Sequence, residues 1–237
     1  AAEMSFYGAK VLHQRTMIPV AALGIPVRTR NSFAPAEPGT RVDGKFTPGS
    51  HPVKAVTAVR AQALLSVEGK GMAGVPGVAA RVFGALSNRG ISVTMISQSS
   101  SESSICLAVP GEQAFAAESA LKRALRADLS RGDVDAVEVR AGVALVGVVG
   151  LGMAHTPGVS ARVFGALGAR RVNVLAIAQG SSELNITLAV AETDAEDAVR
   201  ALHAEFGLHR LDTGEDTTRR LDVILFGCGN VGRALAP

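Results

Sequence analysis

Two glutamines and two glycine-rich turns, each pair separated by the same 81 residues, are the parts of this chain best suited to holding a small ligand. Gln98 and Gln179 carry amides, which donate and accept at once and so can read a hydroxyl or an ammonium group. The turns GKGMAGVPGV (69–78) and GLGMAHTPGV (150–159) set glycines just before segments with helical spacing. Backbone N–H groups and the positive end of a helix dipole at such a place suit a carboxylate. An amide beside an anion-holding turn describes a pocket for a free amino acid. One copy offers Gly74, Val75, Gly77 and Gln98; the other offers Thr156, Gly158, Gln179 and, where copy one has Ser104, Asn185. Each feature alone reads as a tight turn or a solvated strand end, and their duplication weighs against that reading without deciding it.

A different chemistry is suggested by GCGNVG (227–232), which follows the apolar run DVILF and fits the glycine pattern of a dinucleotide-binding turn through Gly227, Gly229, Val231 and Gly232. The acidic residue that such a turn needs about 20 residues later is not reached before Pro237, so no cofactor is expected on this chain. The five histidines show no ligand spacing, and Cys106 and Cys228 fall in different units, so neither a metal site nor a disulfide framework is expected. No catalytic set emerges.

Strands and helices must bring the glutamines to the turns. LLSVE (64–68) and ALVGVVG (144–150) are short apolar runs that read as buried strands entering the turns. Pro76 and Pro157 stand like first-turn prolines, and Val78, Val82, Ala85 and Leu86, echoed by Val159, Val163, Ala166 and Leu167, predict one apolar helix face. ISVTMISQ (91–98) and VNVLAIAQ (172–179) read as strands ending on the glutamines. SICLAV (104–109) and NITLAV (185–190) return through the polar turns SSSESS and GSSELN as hairpins. A second helix carries Ala117, Leu121, Ala124 and Leu125, matched by Ala198, Leu202 and Phe206, and VDAVEV (134–139) supplies a last strand. The order β-α-β-β-α-β is the split, ferredoxin-like motif of the α/β (α+β) class. It occurs twice: residues 76–98 recur at 157–179 with fourteen of 23 positions identical. A sheet with both helices on one face needs its other face or its edges covered, so pairing of the copies or of two chains is expected.

Composition narrows the classes. A hydrophobic content of 47% with 4% aromatics and no Trp predicts thin layers filled by Val, Leu, Ile and Ala. The 24 Lys and Arg against 21 Asp and Glu are scattered, so charge does not indicate nucleic acid. RNA-binding modules share the β-α-β-β-α-β sheet, but their stacking aromatics are missing from SICLAV and NITLAV. The longest apolar run, Val143 to Ala154, is interrupted by glycine and short of the roughly 20 residues a membrane span needs. No export signal is present, and a reducing cytoplasm is expected.

The strings PGVAARVF and ISQSSSESSI, with their flanks, resemble the regulatory region of aspartokinases, most closely that of bifunctional aspartokinase/homoserine dehydrogenases, which is built of tandem ACT domains. FYGAKVLHQRT (6–16), IPVRTRNSF and AEPGT (36–40) are similar to the end of an aspartokinase catalytic domain, and DVILFGCGNVG to the start of homoserine dehydrogenase. Gln14 departs from the proline usual in that upstream motif. The resemblance implies a fragment divided into a kinase remnant (1–45), a linker and first regulatory strand (46–60), two ACT domains (61–141 and 142–215) and a dehydrogenase remnant (216–237). It implies too that the two repeats exchange strands, which makes those bounds approximate. By the same resemblance Lys10 and Val11 match nucleotide-contacting positions, Gln98 and Gln179 match contacts of the effector threonine, and ATP and NAD(P) belong to the parent enzyme. A lysine-sensing or effector-free aspartokinase region is the alternative, and a homodimer or higher homo-oligomer is the implied assembly.

Overall fold

Among the described residues, strands and helices follow the order that the two repeats demand, with one departure at the start of each repeat. The computed structural model describes residues 19–20, 22–42, 51–153, 156–180 and 184–208. Lys10, Val11, Gly227, Cys228, Gly229, Val231 and Gly232 lie outside them. Upstream, β1 (Val27–Thr29) and β2 (Thr40–Val42) make a small antiparallel pair.

The main body is one six-stranded antiparallel sheet of β3 (Ala55–Glu68), β4 (Met95–Gln98), β5 (Ser104–Pro110), β6 (Ala136–Val149), β7 (Val174–Gln179) and β8 (Asn185–Ala191). Its spatial order is β4-β5-β3-β6-β8-β7. Helix α1 (Val78–Ser87) and helix α2 (Ala114–Ala124), followed by the short α3 (Arg126–Arg131), belong to the first repeat. Helices α4 (Val159–Ala169) and α5 (Ala195–Glu205) belong to the second.

The helices bury the stripes that their spacing predicts. Val78, Val82 and Leu86 of α1 are buried, as are Val159, Val163 and Leu167 of α4. Both helices begin two residues later than the prolines suggest. Gly77 and Gly158 hold φ of 87° and 88°, a left-handed conformation outside the helix, so Pro76 and Pro157 precede the cap rather than fill the first turn. Strand β4 is also shorter than ISVTMISQ: pairing starts at Met95, although Thr94 N–H still donates to Ala108 O at 2.8 Å.

The departure lies in β3 and β6, which are each 14 residues long where runs of five to seven were expected. Leu64 to Glu68 pair with β5 and with Ala136 to Arg140, closing the sheet of the first repeat. Ala55 to Val59 pair instead with Leu145 to Val149, next to β8, and supply the fourth strand of the second. Lys54 N–H to Val149 O (2.8 Å) and Asp135 N–H to Glu68 O (2.7 Å) are the same contact displaced by the repeat length. An internal two-fold therefore passes between the long strands at their register shift, where Ala61 and Gly142 both take positive φ, 53° and 67°.

Each half of the sheet keeps helices on one face. Leu65, Val67, Ile105 and Leu107 meet α1 and α2, while Val146, Val148, Ile186 and Leu188 meet α4 and α5. The opposite faces pack on one another through Leu64, Met95 and Ala108 from one half and Val143, Leu145 and Ala189 from the other. The helix-free faces thus cover each other within one chain, and the outer strands β4 and β7 come into contact. Each of those two strands has a single neighbour in the sheet, leaving its other edge unpaired. Among the described residues no helix is long and apolar enough to cross a membrane.

Candidate functional site

Strand direction decides whether glutamine and turn can meet. Strand β4 is antiparallel to β5, which is antiparallel to β3, so β4 and β3 run the same way and finish at the same end of the sheet. Gln98 closes β4 there, and the turn into α1 starts there. Gln98 lies opposite Ile105, whose side chain is buried beneath the helices, so the amide is on the helix side. In the second repeat Gln179 lies opposite Ile186 in the corresponding place. Both glutamines are exposed, as are Gly74, Gly77, Thr156 and Gly158, while Val75 and Asn185 are half-buried. Each repeat thus carries its turn, a helix N-terminus and a glutamine at the same end of its half of the sheet, a corner with one strand between glutamine and turn.

The hairpin tips are tied to these corners in matching fashion. Gly69 N–H donates to Ser103 O and Gly150 N–H to Leu184 O, both at 3.0 Å. A Cβ on Gly69 would come 2.3 Å from Asp133 O, and one on Gly150 would come 2.0 Å from Pro52 O. The first glycine of each turn therefore serves the passage of the fourth strand, not a ligand.

The donors divide as follows. Val75 N–H is spent on Met72 O at 3.0 Å and Thr156 N–H on Met153 O at 3.1 Å, so neither backbone donor is open to a ligand. The Thr156 hydroxyl donates to Gly152 O. Gly74 N–H donates to the Glu102 carboxylate at 3.1 Å, a contact that sequence reasoning missed. Neither helix has a side-chain cap, so the N–H groups of Val78 to Ala80 and of Val159 to Ala161 have no partner inside their helices. Those first-turn donors are open to an anion, and Gly74 N–H already serves one.

Two recesses lie elsewhere. One of about 370 Å³ is lined by His51, Pro52, Arg162 and Phe206, with the Arg162 guanidinium 4.5 Å from the Phe206 ring centre. One of about 200 Å³ between the sheet halves is lined by Leu64, Ser66, Cys106, Glu138, Arg140 and Leu175. Neither contains a glutamine or a cap glycine of the corners, which face solvent openly. Arg162, equivalent to Arg81 by the repeat, binds Glu205 through Nε at 2.7 Å, whereas Arg81 reaches the buried Asp128 at 2.8 Å. These repeated arginines brace helices. Among the described residues no group of His, Cys, Asp and Glu is placed to hold a metal ion.

Comparison with known proteins agrees with this architecture. The profile of the ACT domain matches residues 65–125 and 146–206. The chain is 44% identical over 98% of its length to bifunctional aspartokinase/homoserine dehydrogenase 1 of Zea mays, of which it spans 25%. The aspartate kinase of Clostridium acetobutylicum superposes with a TM-score of 0.73 at 25% identity, over 86% of this chain and 46% of that one. Aspartokinase III of E. coli, solved in complex with lysine and aspartate (T-state), superposes with a TM-score of 0.66 at 35% identity, over 86% and 44%. Two profile matches at the spacing of the repeat, each spanning one helix-backed half of the sheet, place this chain in the ACT domain family.

Proposed function

We propose that this chain is the allosteric, amino-acid-binding region of a bifunctional aspartokinase/homoserine dehydrogenase and that its effector is L-threonine. The observation that supports the reading is the equivalent placement of Gln98 and Gln179 on the helix side, at the same end of the sheet as an uncapped helix N-terminus. The first-turn N–H groups suit the effector carboxylate, and the amide suits its hydroxyl or ammonium. An amide can pair with the threonine hydroxyl as donor or acceptor, which favours threonine over lysine, bound together with aspartate in the E. coli structure. Gly74, Val75, Gly77 and Gln98 line one site, and Thr156, Gly158, Gln179 and Asn185 the other.

Open corners need a second surface to enclose a ligand. The unpaired edges of β4 and β7, with Ile96 and Ile177 exposed at 49% and 43%, suit pairing with another copy. A homodimer or higher homo-oligomer is the resulting assembly. The effector then acts by binding one dimer arrangement better than another, a coupling of about 1–3 kcal/mol. The regulated activities are ATP-dependent phosphorylation of aspartate and NAD(P)-dependent reduction of aspartate semialdehyde to homoserine. ATP and NAD(P) serve the parent enzyme, with Lys10 and Val11 assigned to the nucleotide site and Gly227, Gly229, Val231 and Gly232 to the dinucleotide site. The setting is the reducing cytoplasm, which suits the free thiol of Cys106; the Zea mays relative is designated chloroplastic.

Calorimetry with threonine, lysine, methionine and isoleucine on the purified chain tests the proposal. Threonine is expected to bind, and Gln98→Ala or Gln179→Ala to weaken binding about tenfold at the altered site, as loss of a hydrogen-bonded pair does. Absence of heat from all four amino acids would reduce the chain to a dimerisation module.

A further inference from the structure

The first corner already holds a carboxylate of its own. Residues 99–103 form the tip of the β4–β5 hairpin, and Glu102 sits there with φ of 56°, a left-handed conformation that side chains rarely adopt. Glu102 N–H donates to Ser99 O at 3.0 Å, and Ser104 N–H to Ser99 Oγ at 3.1 Å. The hydroxyls of Ser99, Ser101 and Ser103 lie 2.7–3.4 Å from one another. Backbone and hydroxyl bonds thus fix the tip, and the fixed tip delivers the Glu102 carboxylate to Gly74 N–H at 3.1 Å. That donor belongs to the turn leading into α1, whose first-turn N–H groups lack partners in the helix.

We infer that Glu102 is a tethered surrogate for the ligand carboxylate, occupying the first corner in the unliganded chain and setting that site's affinity by having to be displaced. This deepens the amino-acid reading and rests on it. A free amino acid whose carboxylate reaches Gly74 N–H as well as the neighbouring first-turn donors meets Glu102 there, so the two compete for that N–H. The competitor is covalently attached and stays at high local concentration, which lowers apparent affinity by the fraction of time the corner is occupied. Displacement then leaves a free carboxylate near the ligand ammonium, so the site prefers a zwitterion to a simple carboxylic acid.

Titration of threonine into the chain in a Gln179→Ala background, where the second corner is weakened about tenfold and the first is read as the tighter phase, tests the inference. Glu102→Ala is expected to tighten binding about three- to tenfold, the equivalent of one charge-assisted hydrogen bond no longer competing. Glu102→Gln is expected to fall between, because its amide oxygen still accepts from Gly74. Denaturation midpoints check that both variants fold. The deaminated analogue 3-hydroxybutyrate should gain more from Glu102→Ala than threonine does, a change of selectivity that a purely structural role would not produce. Threonine binding by the parent background that is unchanged or weaker in Glu102→Ala overturns the surrogate and leaves the amino-acid site standing. Absence of binding in the background and in both Glu102 variants overturns both.

Discussion

Gly142→Ala should destabilise the chain by about 0.5–1 kcal/mol, and Ala61→Gly should do the reverse. Both residues sit where the internal two-fold crosses the long strands, and both take positive φ, 67° and 53°. A Cβ built on Gly142 meets nothing within 4 Å, so the substitution adds no clash and isolates the backbone term. Holding an L-residue in the left-handed region costs roughly 1–2 kcal/mol. Replacing glycine by alanine returns about 0.4–1 kcal/mol by restricting the unfolded chain. The difference gives the loss expected for Gly142→Ala. Ala61 already bears that strain, is exposed and uses its N–H on Glu192 Oε1 at 3.3 Å, a contact that glycine keeps. Equilibrium urea denaturation followed by circular dichroism measures both variants and the double exchange, which should return close to the parent value with an unchanged slope. A Gly142→Ala variant as stable as the parent, or an Ala61→Gly variant clearly weaker, would refute the reasoning.

Two further outcomes follow from other parts of the fold. Asp128→Ala removes a carboxylate with a side chain only 3% exposed that accepts from both Arg81 Nη2 and Arg131 Nη2 at 2.8 Å. Because the arginines can rehydrate, thermal or urea denaturation should show a loss of about 1–2 kcal/mol, less than for a fully buried pair. Burial pushes the Cys106 thiol up, outweighing the lowering by the hydrogen bond from Ser66, and the Glu68 charge adds a little to the rise. The Cys106 peptide should therefore resist alkylation at pH 8 in the native chain and react at least about tenfold faster in urea. Since the unfolded thiol ionises first, the folded state binds the extra proton and stability should decline as pH rises past about 8.5.

How far the fold was legible depends on whether its cause is local. The burial of Val78, Val82 and Leu86, repeated at Val159, Val163 and Leu167, follows from helical spacing and was readable directly. The placement of Gln98 and Gln179 at strand ends near the turns followed from the order of elements. The strand that crosses between repeats left only a faint trace. Between residues 52–56 and 133–137, Val53, Ala55 and Val56 match Val134, Ala136 and Val137, too short a run to show which half of the sheet each segment would join. That choice is made by register across the two-fold, which no local period encodes. The contact from Gly74 to Glu102 was hidden for a similar reason, since a serine-rich turn states its polarity but not where its one acidic side chain will land.

The long strands have a consequence for ancestry. The segment that was duplicated begins with a strand serving the other half, so a lone ancestral copy would have lacked the closing strand of its own sheet. Such a copy could complete itself only by borrowing from a second molecule, which makes a mutual embrace of two identical chains the natural precursor. In the present chain that embrace is internal. Each half still depends on a peptide from its sibling, so a cut at the repeat junction would separate two incomplete objects rather than two domains.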